Sequence, residues 1–249
     1  MSAFTSIELG KDPKELQQGD LSLQKNPLLV SIVDGCETLK ALVAKTKVTA
    51  EHIASAKGLI LMSANKIGFG VSITQGYGLV IIRNANSPSG WSAPLPLKVD
   101  GCSVGAVMGY SEQKTLLLLT SEEEIKVFLN DKRTLKLGLD LGLNVGKKLN
   151  ENKHMDSSQL KKDEAGEKAF TVSKGYIVDV SLKGTSVEPD ADDMAAAYGE
   201  GITPADVLQG RVKPPRQAQL LYNALAALQD KAAASPAAAP GLDLSVAAI

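Results

Sequence analysis

Cysteine, histidine and tryptophan are scarce in this chain, at two, two and one among 249 residues. Cys36 and Cys102 lie far apart and lack the paired spacing of a zinc site, which excludes a disulfide framework or metal cluster and fits a reducing, cytoplasmic compartment. His52 and His154 share no pattern that would make a two-histidine metal centre, so neither metal nor cofactor is expected. Long hydrophobic runs are missing too. Nothing approaches the ~18 uninterrupted apolar residues of a spanning helix. The opening MSAFTSIELGKDPKEL has no basic start followed by an apolar run, so no secretory leader is expected and any membrane contact should be peripheral. Charge of one sign is absent: 27 Lys and Arg against 28 Asp and Glu leave a formal net charge of −1. Without a basic excess there is no whole-chain attraction to nucleic acid, and attachment to an anionic membrane must rest on a local patch.

What the chain does have is apolar mass and glycine. Hydrophobic residues make up 44% of it, enough for a substantial core. A single domain is expected over residues 27–230, after a flexible segment 1–26 with a short helix near Pro13–Gln18 and before a disordered Ala/Pro-rich tail, 231–249. The densest stretch is KGLILMSANKIGFGVSITQGYGLVIIR, Lys57 to Arg83. Two apolar runs, Gly58–Met62 and Gly78–Ile82, flank Gly68, Gly70 and Gly76 and read as a β-hairpin. Glycine weakens a strand, so its density here implies sharp coiling or close approach of another backbone. As a dinucleotide fingerprint these glycines fail, because no helix begins there to receive a pyrophosphate.

From Leu28 to Thr46 apolar residues recur every three or four positions, the mark of an amphipathic helix, with Lys40, Lys45 and Lys47 near its end. Those lysines either complement the helix dipole or face an anionic partner. Thr49 is placed to cap a short helix through His52 to Ala56. A turn-rich loop, Asn84–Gly90, leads to Trp91, expected as a buried anchor. Gly101–Tyr110 reads as a strand with Leu116–Leu119 pairing back across a turn at Glu112 and Gln113. Ser121 and Glu124 form a capping box. Leu135 to Val145 alternates with period two, Lys147–Lys168 is an exposed excursion, and Phe170 to Leu182 alternates again. Lys174 falls at a position of that last strand where an apolar group is expected. It is a strand-end lysine, an inward charge, or a residue turned outward by a bulge. Thr203 caps a short helix to Leu208, and Pro215 opens the last one, with Leu220, Leu221, Leu225 and Leu228 as its stripe. The pattern as a whole is α+β: a curved antiparallel β-sheet or partial barrel covered by N-terminal and C-terminal helices.

Gly101-Cys102-Ser103-Val104-Gly105 matches the G-x-S-x-G nucleophile elbow, which needs a strand, a tight turn, a helix, and a later acid and histidine. The residues that follow stay β-like and only His154 comes later, so a serine hydrolase using Ser103 is the least supported reading.

The strings AKGLI, KIGFGVS, GYGLVIIR, GWSAP, GCSVGAVMG, TLKLGLDLGLNVG, VSKGYIVDVSLKG, VLQG and VKPP, over roughly Pro27 to Leu228, resemble the SYLF domain, a lipid- and actin-binding module. Where family members carry glycine, proline and arginine after the leucine-alternating strand, this chain has GKKLNEN. The resemblance implies a non-catalytic module of membrane trafficking, endocytosis or actin organisation that binds anionic phospholipids, phosphoinositides above all, with actin as a further partner. Lys40, Lys45, Lys47, Lys57, Lys66, Arg83 and Lys174 are the candidate lipid-binding residues, each worth about 1 kcal/mol beside an anionic surface. The alternatives are a protein-interaction module, actin-directed or otherwise, without lipid affinity, and a curved sheet enclosing an apolar ligand.

Overall fold

The computed structural model of the protein describes residues 27–46, 48–129, 135–137, 155–156, 169–177 and 185–234. Helix α1 (Pro27–Lys45) opens on a proline, whose fixed φ and missing N–H suit a first turn. It buries Leu28, Ile32, Leu39 and Leu42. Helix α2 (Ala50–Ser55) is capped as expected: Thr49 Oγ1 accepts from the His52 N–H, and His52 Nδ1 accepts from the Thr49 N–H at 3.1 Å.

Strands β1 (Gly58–Ile82) and β2 (Leu95–Leu119) are 25 residues each and pair antiparallel from Gly58↔Leu119 to Val80↔Leu95. This differs from the sequence expectation in two ways. The glycines of 68–78 lie within a strand, and each apolar run takes its ladder partners from β2. Glu112 and Gln113 make no turn, because β2 continues through them opposite Asn65 and Ala64. The two runs of β1 nevertheless meet. A Cβ added to Gly78 would stand 2.5 Å from the Leu61 carbonyl oxygen, and one on Gly76 would collide with the Ser63 carbonyl and the Ala64 backbone. The ribbon therefore doubles back on itself about Gly70, whose φ of +72° suits glycine, and the register shifts between Phe69 and Val71.

Helix α3 (Glu122–Phe128) follows behind the Ser121 capping box. Next come β3 (Leu135–Leu137), β4 (Met155–Asp156), β5 (Ala169–Ile177) and β6 (Thr185–Pro189). All pairing is antiparallel: β5 lies along the second half of β2 and β6 along its first, with β4 beyond β5 and β3 beyond β6. Helices α4 (Ala191–Tyr198), α5 (Pro204–Leu208) and α6 (Ala218–Ala234) complete an α+β fold on a curved antiparallel sheet. Neither β6 nor α4 was anticipated. Their local signal is Asp190, which caps α4 by accepting from the Asp193 N–H. The short helix expected near Pro13–Gln18, the alternation beyond Leu137 and beyond Ile177, and most of the excursion 147–168 lie outside the described residues; of the tail expected over 231–249, residues 231–234 end α6 and the rest lies outside them too.

Alternation along the strands sorts the apolar residues into two cores. On the outer face Leu59, Leu61, Leu79, Leu116, Leu118 and Phe170 pack under α1, α2 and α6. On the inner face Ile60, Met62, Val80, Leu97, Val99 and Leu117 meet α3, α4 and α5. Trp91 is buried as expected. Tyr198 and Tyr222 tie α4 and α6 to the stretch beside it, donating to the Pro94 and Ser92 carbonyls at 2.6 and 2.7 Å.

Candidate functional site

Among the described residues the helices cover only the end of the ribbon near Lys57 and Leu119. Toward Gly70 the outer face emerges from beneath them, and its side chains change in steps with distance from the turn. Flanking Gly70, Phe69 is paired with Met108, and Val71 follows. One step back, Ile67 pairs with Tyr110 and Ile73 with Cys102. A further step back, Asn65 pairs with Glu112 and Gln75 with Asp100. Phe69 is 82% exposed, and Ile67, Val71, Ile73, Met108 and Tyr110 are all exposed. The Tyr110 hydroxyl donates to Asn65 Oδ1 at 2.8 Å, at the level where the apolar patch gives way to polar side chains.

The inner face at the same level is polar. Lys66 is 1% exposed, and Ser72, Thr74, Ser111, Gln113 and Ser173 are buried. They form adjacent rows, since Lys66 lies opposite Ser111 and Gln113 opposite Ser173. Ser72 and Ser103 share a hydroxyl hydrogen bond at 2.6 Å, and Thr115 and Thr171 one at 2.9 Å. Among the described residues the Ser111 and Ser173 hydroxyls and both amide atoms of Gln113 have no hydrogen-bond partner. Ser103 therefore sits mid-strand with its hydroxyl turned to Ser72, which is not the geometry of a nucleophile elbow.

The structure describes six of the seven cations singled out from the sequence, and they do not form one cluster. Lys45 is exposed and Lys40 half-buried on α1, while Lys47 lies outside the described residues. Lys57 is exposed and ion-paired with Glu122 at 2.8 Å. Lys66 points inward. Arg83 holds α2 in place: Nη2 donates to the Ile53 carbonyl at 3.0 Å, Nε donates to that of Ala56 at 3.3 Å, and the guanidinium stacks 3.8 Å over the Trp91 ring. Lys174 is exposed on the outer face opposite Glu112, on the same side as Phe170 and Val172 but past the cover of the helices.

A different lysine proves structural. Lys114 joins α1 to β2, bonding Asp34 at 2.6 Å and lying 3.5 Å from Glu37. Desolvation pulls its ammonium down, but the Asp34 hydrogen bond and charge, with Glu37 and Glu112, outweigh it, so the pKa rises. Beside this pair a shallow crevice between α1 and the ribbon, lined by Ser31, Thr38 and Tyr77, is too tight to hold a small molecule.

Sequence reasoning passed over Phe69, Val71, Ile73, Met108 and Tyr110. Ile67, Phe69, Val71 and Ile73 alternate with glycine, serine and Lys66, which marks two faces but not which of them is bare.

The sequence model of the Ysc84 family, described as Las17-binding protein actin regulator, matches residues 100–228. The chain belongs to that family. Curated proteins similar to it include an SH3 domain-containing protein of Schizosaccharomyces pombe, 29% identical over 198 residues, 80% of this chain and 44% of that protein. LAS seventeen-binding protein 3 of Saccharomyces cerevisiae is 26% identical over 170 residues, 68% of this chain and 36% of that protein. The human SH3 domain-containing YSC84-like protein 1 is 28% identical over 185 residues, 74% and 52% of the two chains. The chain thus spans about half or less of these Ysc84 relatives. No solved structure matches it. Among the described residues no helix is long and apolar enough to cross a membrane.

Proposed function

We propose that this Ysc84-family chain is a non-catalytic binding module that links actin regulation to membranes, attaching to anionic phospholipids and above all to phosphoinositides. Membership of a family described as Las17-binding actin regulators supports the actin half. The observation that carries the lipid half is that Lys45, Lys57 and Lys174 face solvent and Lys40 is partly open to it, so each can meet a phosphate. The Lys57 side chain makes a surface ion pair with Glu122, worth under about 1 kcal/mol, which a headgroup can replace. At about 1 kcal/mol per lysine the attachment is weak and salt-sensitive. Sedimentation with phosphatidylcholine vesicles, with and without phosphoinositide, tests this. Binding should rise with phosphoinositide at low salt and fall as salt is added, and equal binding to both vesicles would refute a headgroup role.

A protein-interaction module directed at actin filaments is the second reading, favoured by the same family description. Co-sedimentation with filaments in the absence of lipid separates it from the first.

A further inference from the structure

The polarity of the β1–β2 ribbon reverses along its length. Near Lys57 and Leu119 both faces are apolar and both are covered. Toward Gly70 the inner face carries Lys66, Ser72, Thr74, Ser111 and Gln113, while the outer face carries Ile67, Phe69, Val71, Ile73, Met108 and Tyr110 in the open. Polar within and apolar without is the wrong arrangement for water. It is the arrangement of strands that face hydrocarbon.

We infer that this end of the ribbon inserts into the acyl chains of one leaflet of a lipid bilayer. Three further observations select lipid over a protein surface or a second copy of the chain. First, polarity is graded with depth: Phe69, Met108 and Val71 at the turn, Ile67 and Tyr110 next, then Asn65, Gln75, Asp100 and Glu112. A tyrosine whose ring is apolar and whose hydroxyl is bonded to Asn65 suits the boundary between hydrocarbon and headgroup. Second, the bare length fits. From Gly70 to Lys66 a strand rising ~3.3 Å per residue covers ~13 Å, close to half of a ~30 Å hydrocarbon core. Third, the β1–β2 ladder runs through Gly68↔Gly109 and Phe69↔Met108 and, after the register shift at Gly70, resumes at Val71↔Val104, so on either side of the turn the facing backbone N–H and C=O groups of the two strands bond each other and need no water. A protein partner would cover the same residues without requiring a polar interior or a tyrosine at a fixed depth. Lys57 and Arg83 sit at the opposite end of the ribbon. The insertion shares with the headgroup reading only the choice of a membrane as partner.

The test uses the full chain with phosphatidylcholine vesicles and with phosphatidylcholine plus phosphoinositide, at low and high salt. Phe69→Asp alters an exposed side chain and should leave the circular dichroism unchanged. It should weaken binding to both vesicle types, at both salts, by about tenfold or more. Phe69→Leu should retain binding, and Lys45→Glu should weaken only the salt-sensitive, phosphoinositide-dependent part. Undiminished binding of Phe69→Asp overturns the insertion while leaving the headgroup reading standing. Loss of phosphoinositide preference with Phe69-dependent binding intact does the reverse. A lipid-free dimer that Phe69→Asp dissolves, with vesicle binding unchanged, assigns the face to a second copy and overturns the insertion. Failure of the unaltered chain to bind either vesicle overturns both.

Discussion

Gly78 and Gly76 decide whether the ribbon can close on itself. With 2.5 Å between an added Gly78 Cβ and the Leu61 carbonyl, the colliding atom is backbone and cannot swing aside. Gly78→Val should lower unfolding stability by about 1–3 kcal/mol, read as a shift in the urea midpoint. Gly70→Ala meets open space, so its cost comes from φ alone, about 1–2 kcal/mol. Gln113 carries the opposite sign. Both its amide atoms are buried without partners among the described residues, so the group loses water without a hydrogen bond from them in return. Gln113→Leu should leave stability unchanged or raise it by about 1 kcal/mol. A clear loss would mean that bound water or a ligand serves the inner face.

At the scale of elements, the helices are fixed by local chemistry and by single long-range ties. Arg83 meets two carbonyls of the α2 end with different nitrogens and stacks on Trp91, which a planar fork achieves and a lysine does not. Arg83→Lys should therefore cost about 1–2 kcal/mol although charge is kept, measured by thermal unfolding. In α5 the Thr203 side-chain and backbone hydrogen bonds, followed by Arg211, lower the Asp206 pKa to about 2. A depressed carboxylate stabilises the fold above its unfolded pKa and loses that contribution as pH falls through the folded value. The Thr203 and Asp206 amide resonances should accordingly titrate with a midpoint near pH 2.

These same elements separate what was legible in the sequence from what was not. The caps at Thr49, Ser121 and Thr203, the α1 periodicity and the α6 stripe are interactions within a few residues, so the chain displays them directly. The continuity of β1 and β2 is a property of the pair. Glu112 and Gln113 look like turn residues alone, and are strand residues because Asn65 and Ala64 lie across from them. Lys174 makes the same point about faces. Its alternation with Phe170 and Val172 correctly puts it on their side, but where the helices stop covering that side is a tertiary fact. Lys66 and Arg83 show the same limit: Lys66 is buried on the inner face and Arg83 bonds the Ile53 carbonyl, and both placements are set by tertiary structure.

At the scale of the molecule, one sheet serves two environments. Its helix-covered end has apolar cores on both faces, as a water-soluble domain requires. Its other end keeps the same strands and the same alternation and exchanges the inside for the outside. Under the proposed insertion this division brings the ribbon turn, through Phe69, to the acyl chains. The chain carries its own probe of this arrangement. Cys102 is exposed on the outer face opposite Ile73, while Cys36 is buried, its thiol pushed up to about 12 by desolvation. A nitroxide attached to Cys102 of the vesicle-bound protein should become more accessible to oxygen, which concentrates in hydrocarbon, and less accessible to a water-soluble relaxation agent. If the water-soluble agent reaches that label as freely on vesicles as in solution, the ribbon is not in the bilayer.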